Sequence, residues 1–137
     1  MTDLAEQLIK LNEGCKLKPY RCTEGKLTIG YGRNLEGKGL SQYEAEVLLA
    51  LDLEECIKDL RALEFWSSLN EARQAVLIDM RFQLGKAGLM GFKNMLDALK
   101  WGDYDKAADE LMDSRYAKQT PNRAARNSDI MRTGVYE

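Results

Sequence analysis

At 137 residues with 45% apolar side chains, the chain has the size of one domain and enough core-forming material to fold without disulfide or metal staples. It contains no histidine, which removes Ser/His/Asp and Cys/His relays and HExxH zinc sites and leaves acid and base chemistry to carboxylates, cysteines, lysines and tyrosines. A net charge of -2 argues against a dedicated nucleic-acid binder.

Met1 to Gly14 carries Asp3, Glu6, Lys10 and Glu13, so it lacks the uninterrupted apolar core of a signal peptide. No later stretch approaches the roughly 20 apolar residues that span a membrane. The expectation is a soluble protein made in the cytoplasm, without stable membrane insertion. Asp3 with Glu6 is a capping-box pattern, and Leu4, Leu8 and Leu11 mark one apolar face, which predicts a helix over residues 3 to 13 stopped by Gly14. Pro19, the Thr23-Glu24-Gly25 turn, the β-prone run Leu27-Thr28-Ile29 and the glycines at 30 and 32 then predict a hairpin or small sheet.

Ser41 with Glu44 forms a second capping box and opens a helix of about twenty residues, with Leu49, Leu53, Cys56, Ile57 and Leu60 on one stripe. A third box, Ser68 with Glu71, opens a helix through Ala72, Val76 and Met80 that Gly85 closes. Short helices follow around residues 92 to 100 and 104 to 112. Thr120 before Pro121 starts a final helix that Gly134 ends. The chain therefore reads as a mostly α (α+β) fold with one small β region near its start.

The three cysteines, Cys15, Cys22 and Cys56, cannot all pair and show no CxxC spacing, so they read as free thiols in a reducing compartment, with no metal site. Acids dominate from Ser41 to Glu64. From Ser114 onward Arg115, Lys118, Arg123, Arg126 and Arg132 face only Asp129 and Glu137, a segment that is either a solvated helix face or a draw for an anionic polymer.

Glu13 falls at the C-terminal end of the first helix, where the negative pole favours the protonated carboxyl that a general acid needs; it is otherwise a surface glutamate at a helix end. Cys22 is either a small buried hydrophobe or, where its surroundings favour the thiolate, a weak base or water-orienting group. Thr28 alone is a strand residue.

These pieces fit one family. Glu13, eight intervening residues, Cys22, five more and then Thr28 resemble the catalytic signature of the phage lysozymes (endolysins) of the T-even type, in which Glu, Asp or Cys, and Thr occur at this spacing. Around it, NEGCKLKPYRCTEGKLTIGYGRN resembles the family's active-site hairpin. FQLG from Phe82, the Gly91-Phe92 pair, SRYAKQTPNRA from Ser114 and RTG from Arg132 are similar to its C-terminal blocks.

The resemblance implies a single lysozyme-like domain. A small lobe (about 14–40) holds the hairpin, a long helix (about 41–63) connects, and residues 64–137 with 1–13 form a helical lobe, the substrate cleft lying between. It implies hydrolysis of the β-1,4 bond between N-acetylmuramic acid and N-acetylglucosamine in peptidoglycan, without a cofactor. Glu13 would be the general acid, with Thr28 and Cys22 holding the attacking water in an inverting mechanism. Phe82, Gln83, Gln119 and Thr120 would bind sugar or support the site, although Phe82 by residue type alone is a core side chain. Arg123 falls where the family has an arginine that approaches the catalytic glutamate and would lower its pKa.

Three departures stand out. Cys22 replaces the aspartate of many relatives, Arg33 occupies a position often held by histidine, and Asn34 to Leu40 is short, so the small lobe is expected to be trimmed. The family further implies a monomer held in the host cytoplasm, acting on the wall after release by a holin, for host cell lysis. Two other classes stay open: a non-catalytic peptidoglycan-binding relative, and an enzyme using Cys22 as nucleophile, which without histidine needs another activating base.

Overall fold

The computed structural model describes residues 2–136. The chain divides into two compact units, Met1–Leu48 and Leu49–Glu137.

The first unit opens with α1 (Thr2–Glu13), which Gly14 ends in the left-handed conformation (φ 67°), its N–H reaching back to the Lys10 carbonyl at 3.0 Å. The chain then forms an antiparallel meander of β1 (Lys16–Arg21), β2 (Leu27–Gly30) and β3 (Arg33–Asn34), in the order β1-β2-β3. The β1–β2 connection closes on itself, with Gly25 N–H donating to the Cys22 carbonyl at 2.8 Å and Cys22 N–H to that of Lys26 at 2.9 Å. Tyr20 pairs with Thr28 and Arg21 with Leu27, and the register shifts between Lys16 and Tyr20 around Pro19, which has no N–H to give the ladder. After β3, Glu36 folds back to accept from Arg21 at 2.7 Å and from the Leu27 N–H at 3.1 Å, tying the following loop to the sheet.

Helix α2 (Gln42–Leu60) begins at the predicted capping box, which is fully formed. Ser41 N–H donates to Glu44 at 2.9 Å, and the Ser41 hydroxyl accepts from Glu44 N–H at 3.1 Å. Burial along its apolar stripe is confined to Cys56 and Leu60; Leu49 is exposed.

The second unit continues through a 3-10 turn (Trp66–Ser68), α3 (Glu71–Met90), α4 (Lys93–Lys100), α5 (Tyr104–Met112), α6 (Arg115–Gln119) and α7 (Pro121–Thr133). The cap of α3 differs from the sequence reading. Ser68 does not cap α3: it lies in the 3-10 turn, where its hydroxyl donates to the Phe65 carbonyl at 2.6 Å, and the extended residue before the helix, Asn70, accepts from Arg73 N–H at 3.0 Å. As the sequence predicted, the first helical stretch of α3 closes at Gly85, which takes the non-helical φ 77° and ψ 171°, and a second stretch runs on from there to Met90. The five-residue α6, capped by Ser114, was not foreseen.

Helix α7 packs against α3, α5 and α6. Leu60, Leu77, Met80, Leu89, Met95, Leu99, Leu111 and Met131 form the core there, each contributing about 1.5–3 kcal/mol of hydrophobic transfer. Among the described residues no helix is long and apolar enough to cross a membrane.

Candidate active site

The eight candidate positions fall into two groups, Glu13, Cys22 and Thr28 in the first unit, and Phe82, Gln83, Gln119, Thr120 and Arg123 in the second.

In the first unit, Glu13 is the last residue of α1, and its side chain lies directly over the backbone of Gly32. A Cβ at Gly32 would stand 2.5 Å from Glu13 Oε2 and 2.7 Å from its Cδ, closer than packed atoms tolerate. One turn earlier in α1, the Lys10 ammonium sits 5.5 Å from the centre of the Tyr31 ring while pairing with Glu6 at 3.0 Å. The end of α1 therefore meets the Gly30–Arg33 turn at two adjacent points.

Cys22 occupies a cradle made by its own turn. Hydrogen bonding from the backbone at Glu24 and then at Lys26, with a smaller effect from Thr28, holds the thiol below its ordinary pKa against the opposing effect of burial. Thr28 is buried and donates its hydroxyl to the Lys26 carbonyl at 2.8 Å. Cys56 behaves oppositely: it is buried in the second unit, and desolvation pushes its thiol up. The two thiols are thus shifted in opposite directions.

Arg33, next to Gly32, anchors the turn. Its guanidinium donates twice to the Gly39 carbonyl, at 3.1 and 2.9 Å, and to Glu44 at 2.6 Å. The Ser41 amide, the Arg33 guanidinium and the Ser41 hydroxyl lower the Glu44 carboxyl to about 2. Arginine at this position keeps the ion pair charged across the range where a histidine would titrate.

In the second unit, Arg123 binds Asp79 in fork geometry, at 2.9 and 2.7 Å, so its guanidinium is engaged within this unit. Asn127 joins them, donating to Asp79 at 2.9 Å and to the Tyr116 hydroxyl at 2.8 Å. Burial pushes the Asp79 carboxyl up, but the Arg123 and Asn127 hydrogen bonds outweigh it and hold the group below the ordinary carboxylate value. Gln83 donates weakly to the Thr120 hydroxyl at 3.4 Å, and its Oε1 is buried without a protein partner among the described residues. The Thr120 hydroxyl in turn donates to the Tyr116 carbonyl at 3.1 Å. Gln119 is exposed and lines a cavity of about 410 Å³ with Phe92, Asn94, Ser114 and Tyr116. Phe82 is 45% exposed and is no core residue.

The basic C-terminal segment is less free than its composition suggests, because Arg132 pairs with Asp105 and with Asp109, at 3.3 and 2.6 Å, as Arg123 does with Asp79. Sequence reasoning did not find Asp79, Asn127 or the Gly32 contact. The glycines at 30 and 32 were the one signal available for the last.

The phage lysozyme family model matches residues 10–127. The chain is 31% identical to the pre-baseplate central spike protein Gp5 of Enterobacteria phage T4, over 96% of this chain and 28% of that much longer one. It is 27% identical to probable T4-type lysozyme 1 of Dictyostelium discoideum, over 98% of this chain and 97% of the other. It is also 32% identical to an endolysin of Acyrthosiphon pisum secondary endosymbiont phage 1, over 81% and 77% of the two chains. With the family match spanning most of the chain and a mostly helical fold carrying one small antiparallel sheet, the chain belongs to the phage lysozyme family and is a lysozyme-type peptidoglycan hydrolase.

Proposed function

We propose that the chain hydrolyses the β-1,4 bond between N-acetylmuramic acid and N-acetylglucosamine by an inverting displacement, as an endolysin serving host cell lysis. Glu13 protonates the departing glycosidic oxygen. Cys22, set by Thr28, orients and helps deprotonate the attacking water. What supports this is the turn around Cys22, whose backbone hydrogen bonding lowers the thiol from its ordinary value, beside a buried Thr28 that donates to the Lys26 carbonyl of the same turn. The shift is toward the thiolate, the form that would supply the negative charge an aspartate supplies in relatives.

Thr28 acts chiefly through that sulfur. With its proton committed to the Lys26 carbonyl, its oxygen can accept from a Cys22 thiol; when the thiol ionises, the hydroxyl can turn and donate to sulfur. Phe82, Gln83, Gln119 and Thr120 serve sugar binding or support, with Arg123 held for that purpose by Asp79. Release to the wall by a holin and action as a monomer belong to the same proposal.

The test is digestion of purified Gram-negative peptidoglycan by the wild type, Glu13→Gln, Cys22→Ala and Cys22→Asp, with muropeptides identified by mass spectrometry and the first-formed anomer by NMR. Muramic-acid reducing ends of inverted configuration, lost in Glu13→Gln, reduced in Cys22→Ala and retained in Cys22→Asp, are expected. Retained configuration would replace the water-orienting role with a Cys22 nucleophile. Binding without cleavage by the folded wild type would overturn the enzymatic reading.

A further inference from the structure

We infer that Gly32 is a positioning residue for the reaction, its missing side chain being the seat of the Glu13 carboxyl group. This rests on Glu13 being the general acid.

The geometry is specific to this glycine. Gly30 and Gly32 lie in the same turn with nearly the same positive φ, 68° and 72°, so both carry the conformational freedom that the turn demands. Their surroundings differ. A Cβ built on Gly30 meets nothing within 4 Å, whereas one on Gly32 falls 2.5 Å from Glu13 Oε2, 2.7 Å from Cδ and 3.3 Å from Cγ. The three nearest atoms all belong to the acid.

Two groups could yield to a methyl at Gly32, the turn or the carboxyl. The turn is fixed on its far side by the three hydrogen bonds of Arg33 to Gly39 and Glu44. The carboxyl is the end of a flexible side chain on an exposed helix terminus. The carboxyl yields. A chain altered in this way still folds but carries its proton donor an ångström or so from where it belongs, and a displacement of that size at a reacting centre costs about 100-fold in rate.

Gly30→Ala and Gly32→Ala form a matched pair, since both strain a positive φ and only the second meets Glu13. Digestion of uncross-linked glycan strands is followed for both, with kcat, KM and the pH profile, beside Glu13→Gln. The expected result is that Gly32→Ala loses about 100-fold in kcat with KM within about threefold and a displaced acid-side limb. Gly30→Ala should keep kcat within a few-fold of wild type. Equal kcat losses in the two alanine variants, with Glu13→Gln inactive, would overturn the inference and leave the general acid in place. An active Glu13→Gln would overturn both.

Stability supplies a readout independent of turnover. In a Glu13→Ala background the methyl has nothing to strike, so Gly32→Ala should then destabilise no more than Gly30→Ala. If Gly32→Ala fails to fold, or is equally damaging with and without the Glu13 side chain, the carboxyl is not what the glycine makes room for.

Discussion

Replacing Asp79 by asparagine tests the polar network beneath α7. The carboxylate accepts two hydrogen bonds from Arg123, at 2.9 and 2.7 Å, and one from Asn127 at 2.9 Å. Asparagine keeps the shape and one acceptor oxygen but loses the charge and the fork. The two side chains are 34% and 35% exposed, so solvent screens the pair, and its worth lies between a surface ion pair of about 0.2–1 kcal/mol and a buried charged hydrogen bond of about 1.5–3 kcal/mol. A loss of about 1–2 kcal/mol follows, and with unfolding entropy near 2.1 cal/mol/K per residue this lowers the melting temperature by about 4–7 °C at pH 7. The sign with pH is fixed. The folded Asp79 carboxyl lies below its ordinary 3.8, so its contribution is complete above that value and is lost as pH falls through the depressed folded value. Circular-dichroism melts of wild type and Asp79→Asn between pH 7 and pH 2.5 should therefore converge toward the acid end. Melting temperatures within 1 °C at pH 7, or a difference that does not shrink on acidification, would show that Arg123 gains nothing from Asp79.

Glu44→Gln should flatten the acid limb of first-unit stability: the wild-type carboxyl, lowered to about 2 by Ser41 and Arg33, contributes fully above about 4.5 and is lost toward pH 2, whereas glutamine does not titrate. Amide hydrogen exchange at Leu27 and Glu44, compared at pH 5 and pH 3, reads this directly. Leu77→Ala removes a fully buried side chain from the helical core and should cost about 2–5 kcal/mol, measured by urea denaturation, and a loss under 1 kcal/mol would mean that the cavity closes.

What the sequence made legible here follows the range of the interactions. The Ser41–Glu44 box was readable because both partners lie within one turn, and it forms as read. The Ser68–Glu71 box satisfied the same pattern and failed, because a 3-10 turn that no periodicity announces draws the Ser68 hydroxyl to Phe65 and leaves the cap to Asn70. A five-residue helix such as α6 is too short to show a period at all.

At the site the limit is sharper. Glu13, Cys22 and Thr28 were singled out by their spacing, while the lowered thiol of Cys22 comes from backbone hydrogen bonding at Glu24 and Lys26, which leaves no mark in residue identity. Arg123 was found as a cation, but its partner Asp79 is 44 residues away on another helix. Glu13 and Gly32 have two strands and a turn between them in the chain, and there the informative group is one that is missing. A glycine in a turn has an adequate local explanation in its φ, and Gly30 needs no other. Only the position of the carboxyl above it shows that Gly32 answers to two constraints at once, its positive φ and the space that the Glu13 side chain fills.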